Sequence, residues 1–204
     1  MRVLSTRTDV SVEPTRPGGT PVLGPALFVD RDGTLNPDLH YMKDAERLEL
    51  FRGVGEGLRV AKEHGYRIVC VTNQSGVERG LYTVEDVDRI HLRLNELLRP
   101  QGAHIDAFYY CPHKPEHGCD CRKPRTGLFE QARRDWNIDL PRSAMIGDRA
   151  LDVEAGRTLG LLTALVRSRG QDANRSDELL VGSAVPDISA ESFRGAVYRV
   201  LARG

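Results

Sequence analysis

Short apolar runs recur along the chain, separated by polar segments. Five of them lie between residues 26 and 166: Ala26–Val29, Tyr66–Val71, Ala107–Tyr110, Ala144–Ile146 and Leu161–Val166. Short runs with little polar alternation are typical of strands buried on both faces of a parallel sheet. The pattern therefore predicts five strands of such a sheet.

Between these runs, apolar residues recur at intervals of three and four, which indicates helices. The clearest helix covers residues 84–98, with Thr83 as the expected N-cap and Pro100 beyond its end. Weaker patterns of the same kind lie over 54–63, 128–136 and 193–201. Because strands and helices alternate, we predict an α/β fold with a doubly wound, Rossmann-like parallel sheet between helices.

The first 24 residues differ from the rest of the chain. Residues 1–24 carry proline, glycine, threonine and charge without a sustained period, and we interpret them as a flexible N-terminal extension. Residues 25–204 have the length of one domain. The sequence thus predicts a flexible segment followed by a single domain.

The charges of the chain balance, with 29 Lys and Arg residues against 29 Asp and Glu residues. A chain-wide basic surface for nucleic acid or an anionic membrane is therefore not indicated. No apolar run approaches the roughly 18 residues that span a bilayer, and residues 1–20 lack the apolar core of a secretory signal. We expect a cytoplasmic monomer that binds neither nucleic acid nor membranes.

Polar residues follow three of the predicted strands. Asp30 and Asp32 come after the first strand, Thr72 ends the second and Asp148 follows a later one. Ligands of doubly wound sheets bind at the carboxyl ends of the strands. Two carboxylates so placed can act as a nucleophile and a proton-transfer group, and an anionic substrate would then require a hard cation such as Mg²⁺. The alternative is that both aspartates only cap turns.

Three of the four cysteines fall within eleven residues. Cys111, Cys119 and Cys121, with His113, form the pattern C-x-H-x5-C-x-C, and His117 is a second candidate imidazole. Three thiolates and one imidazole make a closed tetrahedral zinc site, which is structural rather than catalytic. A nucleic-acid zinc ribbon would show C-x2-C knuckles and a basic face, and neither is present.

Four short motifs occur in order along the chain: DRDGT at 30–34, VTN at 71–73, KP at 123–124 and GDRALD at 147–152. Together they resemble the four motifs of the haloacid dehalogenase (HAD) superfamily of phosphatases. The resemblance implies the HAD fold, here without a large cap domain because only about 40 residues separate the first two motifs.

The same resemblance implies a role for each motif residue. Asp30 would attack phosphorus and become an aspartyl-phosphate, and Asp32 would transfer protons. Thr72 and Lys123 would hold the non-bridging oxygens. Asp30, the backbone carbonyl of Asp32 and Asp148 would bind Mg²⁺. Asp152 is either a further acidic group near the metal or Lys123, or a helix-start residue.

Within the superfamily, the cysteine-rich loop followed by Arg122, Lys123 and Pro124 is similar to two zinc-containing families. These are the D-glycero-D-manno-heptose 1,7-bisphosphate 7-phosphatases and the histidinol-phosphate phosphatases. The run TNQSGVERG at 72–80 and the loop NPDLHY at 36–41 resemble the first family more closely. Removal of the C7 phosphate of the heptose bisphosphate, in the synthesis of nucleotide-activated heptose, is therefore the expected activity.

That resemblance implies a set of substrate contacts: Asp38, His40, Tyr41, Asn73, Gln74, Ser75, Arg122 and Arg149. The pair Leu39-His40 departs from the His-Gly pair of the family, and Arg149 stands where lysine is common. The alternatives are a histidinol-phosphate phosphatase or a broader sugar-phosphate phosphatase, and, in a different class, a non-catalytic zinc-stabilised binding module.

Overall fold

A seven-stranded sheet forms the centre of the fold in the computed structural model, which describes residues 3–5, 23–167 and 185–203. The strands are β1 (Val3–Ser5), β2 (Ala26–Val29), β3 (Arg67–Asn73), β4 (Ala107–Cys111), β5 (Ala144–Gly147), β6 (Leu162–Val166) and β7 (Ile188–Ala190). Their order across the sheet is β1-β4-β3-β2-β5-β6-β7. All neighbours are parallel except β1, which runs antiparallel to β4. The five predicted strands and the doubly wound parallel sheet are confirmed.

The two outer strands were not predicted. Residues 3–5 pair with residues 107–109, which differs at these three positions from the flexible extension predicted over residues 1–24. The free edge of β4 carries unpaired N–H and C=O groups that such a segment satisfies. β7 adds to β6 in the same way on the opposite side of the sheet. Residues 6–22 of the predicted extension lie outside the described residues.

In the described ranges, five helices pack on the sheet: α1 (Val54–Glu63), α2 (Val84–Leu98), α3 (Gly127–Trp136), α4 (Ala150–Thr158) and α5 (Phe193–Leu201). α2 begins as predicted. The Thr83 hydroxyl accepts a hydrogen bond from the Asp86 N–H at 3.2 Å, and the Asp86 carboxylate accepts one from the Thr83 N–H at 2.7 Å. This reciprocal cap satisfies two backbone donors that the first turn leaves open.

Helices cover both faces of the sheet. Leu27 and Val29 of β2 face a core shared with α1, α2 and α5, whereas Phe28 faces a core shared with α3 and α4. Alternate strand residues point to opposite faces, so β2 is buried on both sides. This explains why the central strand has a continuous apolar sequence.

The strand order places the functional motifs side by side. β3, β2 and β5 are neighbours, and their carboxyl ends lie at one edge of the sheet. Residues 30–66, all described, contain only a loop, one short 3-10 turn (Ala45–Arg47) and α1 before the next strand. The cleft at this edge is therefore bordered by loops. Among the described residues, no helix is both long and apolar enough to cross a membrane.

Candidate active site

The turn after β2 brings two carboxylates to the edge of the sheet. The carbonyl oxygen of Arg31 accepts a hydrogen bond from the Leu35 N–H at 2.9 Å, and the Gly33 N–H donates to the Asn36 carbonyl oxygen at 2.7 Å. Gly33 has a φ of 89°, in the region that favours glycine. The tight turn exposes Asp30 and Asp32 to the same cleft.

The ammonium of Lys123 lies at the centre of the buried charges. Its Nζ is 2.7 Å from Asp30 Oδ1, 2.7 Å from Asp152 Oδ1 and 2.6 Å from the carbonyl oxygen of Val71. Burial opposes the charge of Lys123, but the two carboxylates raise the pKa above its usual value. Burial also raises the pKa of Asp30 to about 6, although Lys123 opposes that increase.

Asp32 is held by a set of donors different from those of Asp30. The Arg31 guanidinium donates to both oxygens, at 3.1 and 2.6 Å. The amides of Asn36 and Gln74 donate one bond each, at 3.0 and 2.9 Å. Burial by itself would raise the pKa of Asp32, but the charge and hydrogen bonds of Arg31, with the two amides, bring it below its usual value. Asp32 is therefore ionised in the free protein.

A third carboxylate, that of Asp148, lies beside Asp30. Oxygen atoms of Asp30, Asp148 and Asp152 all fall within 4.8 Å of one another, and the Thr34 hydroxyl donates to Asp148 Oδ1 at 3.1 Å. Burial raises the pKa of Asp148 well above its usual value, and the charges of Asp30 and Asp152 add to that shift. The single ammonium of Lys123 pairs with two of these three carboxylates, Asp30 and Asp152, so the group keeps an excess of negative charge. This all-oxygen, mutually repelling group fits a hard divalent cation.

Residues at the end of β3 and directly after it complete the wall of the cleft. The Gln74 amide donates to the Thr72 hydroxyl at 3.0 Å and is itself held by the Tyr82 hydroxyl at 2.8 Å. The side chain of Asn73 makes two 3.1 Å hydrogen bonds to the backbone N–H and C=O of Lys123. Asn73, predicted as a substrate contact, therefore also fixes the backbone that carries the ammonium.

The cleft has a volume of about 240 Å³ and contains every predicted substrate contact: Asp38, His40, Tyr41, Asn73, Gln74, Ser75, Arg122 and Arg149. Asp38 and Arg149 pair across it at 2.7 Å, which joins the loop after β2 to the start of α4. His40 and Tyr41 have φ values of 49° and 58°, in the left-handed region. Arg122 donates to the carbonyl oxygen of His113 at 3.1 Å, so it also supports the cysteine-rich loop.

The cysteine-rich loop forms a compact group of sulfur and nitrogen atoms beside the cleft. The thiols of Cys111, Cys119 and Cys121 lie 3.3 to 3.5 Å apart, and His113 Nδ1 lies 3.3 Å from Cys121 Sγ and 3.6 Å from Cys111 Sγ. A tetrahedral zinc ion with Zn–S bonds of about 2.3 Å separates its sulfurs by about 3.8 Å, so the donor set fits zinc. His117 instead stacks on His113 and pairs with Glu78 Oε1 at 2.8 Å.

Comparisons with known proteins agree with this geometry. A family model described as HAD-hydrolase-like matches residues 120–196. A probable D-glycero-D-manno-heptose-1,7-bisphosphate 7-phosphatase of Thermoplasma volcanium is 42% identical over 142 residues, which are 69% of this chain and 97% of that protein. A D-glycero-beta-D-manno-heptose-1,7-bisphosphate 7-phosphatase of Haemophilus ducreyi is 37% identical over 171 residues, 78% of this chain and 94% of that protein. The chain belongs to the heptose-1,7-bisphosphate 7-phosphatase family of HAD hydrolases.

A solved structure shares the fold of this family over most of the chain. The crystal structure of the D,D-heptose 1,7-bisphosphate phosphatase of B. bronchiseptica, complexed with magnesium and phosphate, superposes with a TM-score of 0.76. The two sequences are 27% identical, and the match covers 88% of this chain and 99% of that chain. The predicted HAD fold and family are thus confirmed.

Some residues of the site were not singled out from the sequence of this family member. Thr34, Asn36, Arg79 and Tyr82 contact the predicted residues or line the cleft. Asn36 follows the motif at 30–34 and begins the loop at 36–41, and these two positions are the signals that could have identified it. Tyr82 lies in a loop between β3 and α2, where the sequence has no regular apolar spacing. Its hydrogen bond to Gln74 becomes visible only in the folded structure.

Proposed function

We propose that this chain hydrolyses the C7 phosphate of D-glycero-D-manno-heptose 1,7-bisphosphate and releases heptose 1-phosphate, in the synthesis of nucleotide-activated heptose. The observation that carries the proposal is that two carboxylates with different partners line one cleft. Asp30 pairs with Lys123, and Asp32 pairs with Arg31. The names of the relatives supply the substrate, and several of those names specify the β anomer.

The residues support a two-step reaction. A carboxylate oxygen of Asp30 forms a bond to phosphorus while the bond between phosphorus and the C7 oxygen breaks, and Asp32 gives that oxygen a proton. In the second step Asp32 takes a proton from water, whose oxygen displaces Asp30 from phosphorus. Inorganic phosphate leaves, Asp30 is a free carboxylate again, and Asp32 holds the proton from water, which it releases to solvent when the site is empty.

Asp32 changes its protonation state during this cycle. Its pKa is low in the free protein, but the approach of an anionic phosphate raises the pKa of a neighbouring carboxylate. We therefore expect Asp32 to take up a proton from solvent when the substrate binds. The leaving oxygen then receives this proton. Lys123 and Thr72 would meanwhile hold the non-bridging oxygens of the phosphate.

The oxygen donors favour Mg²⁺ as the cofactor, with Asp30, the backbone carbonyl of Asp32 and Asp148 as ligands. Bound there, Mg²⁺ would neutralise charge on the phosphate and on the carboxylates. The second metal of the proposal is zinc, held by Cys111, His113, Cys119 and Cys121. Its role is to order the loop from which Arg122 and Lys123 follow.

The test is phosphate release in the presence of Mg²⁺, with kcat/KM measured for both anomers of the heptose bisphosphate and for histidinol phosphate. We expect a preference of at least about 100-fold for a heptose bisphosphate, because a site built for particular polar groups rejects substrates that leave them unpaired. Equal or faster turnover of histidinol phosphate would reassign the substrate but keep the mechanism.

The matched variant is Asp30→Asn, which keeps the shape of the nucleophile and removes its charge. We expect kcat to fall by more than about 1,000-fold with the fold retained, since the loss of a catalytic nucleophile costs at least that much. Arg52→Gln, an exposed change on the loop before α1, serves as the control. Substantial activity of Asp30→Asn would rule out an aspartyl-phosphate on Asp30.

A further inference from the structure

Arg31 is a charged residue whose side chain is completely buried behind the cleft. Its exposed fraction is 1%, and its guanidinium has partners in two directions. Nε and Nη2 donate to Asp32, and the other terminal nitrogen, Nη1, lies 3.3 Å from His91 Nε2. The guanidinium thus connects the proposed proton-transfer group to α2.

His91 is buried on α2 between aromatic rings. Its imidazole stacks on Phe108 at a centroid distance of 4.3 Å and an interplanar angle of 13°, and it meets Tyr110 edge-on at 5.7 Å. These contacts with β4 fix the plane of the ring. Burial and the charge of Arg31 hold the pKa of His91 well below its usual value, so the ring is neutral.

The chemistry of the pair determines the tautomer of His91. An arginine guanidinium has only donors, so Nε2 must accept the hydrogen bond and the proton must lie on Nδ1. Within the part of the chain that the structure describes, Nδ1 has no hydrogen-bond partner. A buried unpaired N–H is unfavourable, whereas an apolar residue would avoid it. What the imidazole supplies at this position is an acceptor for Arg31.

The hydrogen bond between Arg31 and His91 also bears on the orientation of Asp32, because the same guanidinium donates to Asp32. A guanidinium that donates twice to one carboxylate fixes the plane of that carboxylate. We propose that His91 is a positioning residue of the phosphatase: by accepting a hydrogen bond from Arg31, it holds the guanidinium in the orientation that aims Asp32 at the leaving oxygen. This inference rests on the proposed function, because it assigns proton transfer to Asp32.

The test compares two replacements of His91. In His91→Gln the side-chain oxygen reaches about as far as Nε2 and keeps an acceptor for Arg31, whereas His91→Leu keeps the bulk and removes the acceptor. First-turnover formation of heptose 1-phosphate by rapid quench, with kcat and KM, measures the effect. We expect His91→Leu to lower the first-turnover rate about 10-fold or more with KM within about twofold, because misplaced proton transfer removes part of a 10²- to 10⁴-fold contribution. His91→Gln should stay within about threefold.

A second substrate separates positioning from a general loss of structure. p-Nitrophenolate leaves without a proton, so its burst from p-nitrophenyl phosphate does not need Asp32 as an acid. We expect His91→Leu to slow this burst less than about threefold. Ile90→Val, a buried change on the same helix, controls for destabilisation, and thermal unfolding is recorded for every variant.

Three results would overturn the inference: an equal slowing of both substrates by His91→Leu, a loss in His91→Gln as large as in His91→Leu, or full activity of His91→Leu. Failure of the proposed function is distinguishable, because the wild-type protein would then not release phosphate from heptose bisphosphate, whereas activity of Asp32→Asn would refute only the proton-transfer role of Asp32. If Asp32→Asn is inactive and His91→Leu is fully active, only the positioning role of His91 is wrong.

Discussion

Lys123 is the residue at which the charges of the site meet. Its three ammonium donors have three acceptors, on Asp30, Asp152 and the backbone of Val71. A bound phosphate must therefore replace one of them. In the proposed reaction Asp30 attacks phosphorus, so we expect Asp152 to be the carboxylate that keeps the ammonium in place.

Replacing Asp152 with Asn tests this division of labour. A neutral amide leaves Lys123 paired only with Asp30, which strengthens the ion pair that must loosen for attack. We expect kcat to fall about 10- to 100-fold, which is less than the 10²- to 10³-fold measured for the loss of one donor to the reacting oxygens, because Asp152 acts through Lys123. The free energy of unfolding should fall by about 3 kcal/mol, because a buried charge loses a partner.

The measurements for Asp152→Asn are steady-state kinetics and urea unfolding, with Glu154→Gln as the matched control. Glu154 is exposed on the same helix, so its variant should change neither quantity appreciably. A wild-type kcat in Asp152→Asn would show that Asp152 only caps α4.

The sequence left two roles open for Asp152, and the structure contains both. One oxygen accepts a hydrogen bond from the Arg149 N–H at 3.1 Å, as a helix-start residue does, and the other pairs with Lys123. Position in a motif predicts that a side chain reaches the end of a strand. It does not predict pairs such as Arg31 and His91, which are 60 residues apart and meet only because α2 packs on the sheet.

At the scale of elements, we expect the loop between β4 and α3 to depend on the proposed zinc ion for its shape. Residues 112–122 of this loop contain one short 3-10 turn, Pro115–His117. Apart from the cysteines, the side chains of these residues bury little apolar area. Burial and the neighbouring thiols raise the pKa of Cys111 above its usual value, so the crowded sulfurs favour a cation. Lys123 follows this loop directly.

Cys119→Ser is therefore expected to release the zinc, lower the melting temperature and reduce kcat through misplacement of Lys123. His117→Gln is the matched comparison, because His117 touches His113 but pairs with Glu78 instead of the sulfurs. It should retain one equivalent of zinc. Metal analysis, thermal unfolding and kinetics are the measurements. Loss of zinc in His117→Gln would reassign the imidazole ligand.

A second element-scale prediction concerns Asp106, which precedes β4. Its carboxylate pairs with Lys62 of α1 at 2.6 Å and with His104 at 2.9 Å, and accepts a hydrogen bond from the Ile68 N–H at 2.7 Å. Burial opposes ionisation, but these partners lower the pKa of Asp106 below its usual value of about 3.9. A lowered folded-state pKa stabilises the fold above the unfolded pKa, and that contribution disappears as the pH falls through the folded one.

Asp106→Asn should thus destabilise the protein at pH 7 and do so progressively less below about pH 4. Urea unfolding at a series of pH values measures the difference, with the exposed variant Glu63→Gln as the control. A difference from wild type that stays constant from pH 7 to pH 3 would mean that shape, rather than charge, makes the contribution of Asp106.

The elements differ in how well the pattern predicted them. The strands buried on both faces are short, continuous apolar runs, and their predicted ends lie within two residues of the observed ones. β1 and β7 have three residues each, too few to show a period, and they exist because the edges of β4 and β6 are available. The site loops were found by motif, but their contacts, such as that between Asp38 and Arg149, depend on the assembled sheet.

At the scale of the whole molecule, the two ends of the domain share one core. α5 near the C-terminus packs on α1, and a Cβ added at Gly57 would lie 3.2 Å from the ring of Phe193. Arg194 and Tyr198 of α5 also reach Glu56, at 2.9 and 3.2 Å. The edge of the sheet that holds the site lies at the ends of strands packed against this core, so we expect the site and the distant helix pair to unfold together.

Phe193→Ala, a change outside the cleft, tests whether the site and the helices α1 and α5 unfold together. The ring is 2% exposed, and its removal should lower the free energy of unfolding by about 3–5 kcal/mol, the range for buried aromatic truncations. For a domain of this size the melting temperature then falls by about 10 °C. At 25 °C, kcat/KM should be unchanged because Phe193 is not among the residues that line the cleft.

The control for Phe193→Ala is Tyr198→Phe, which removes one exposed hydroxyl from the same helix and should change stability by less than about 0.5 kcal/mol. Heat unfolding followed by circular dichroism and by loss of activity should give coincident single transitions in each protein. If Phe193→Ala instead melts in two steps, with activity surviving the first, β7 and α5 form a separable unit. The edge of the sheet that holds Asp30 would then be stable without them.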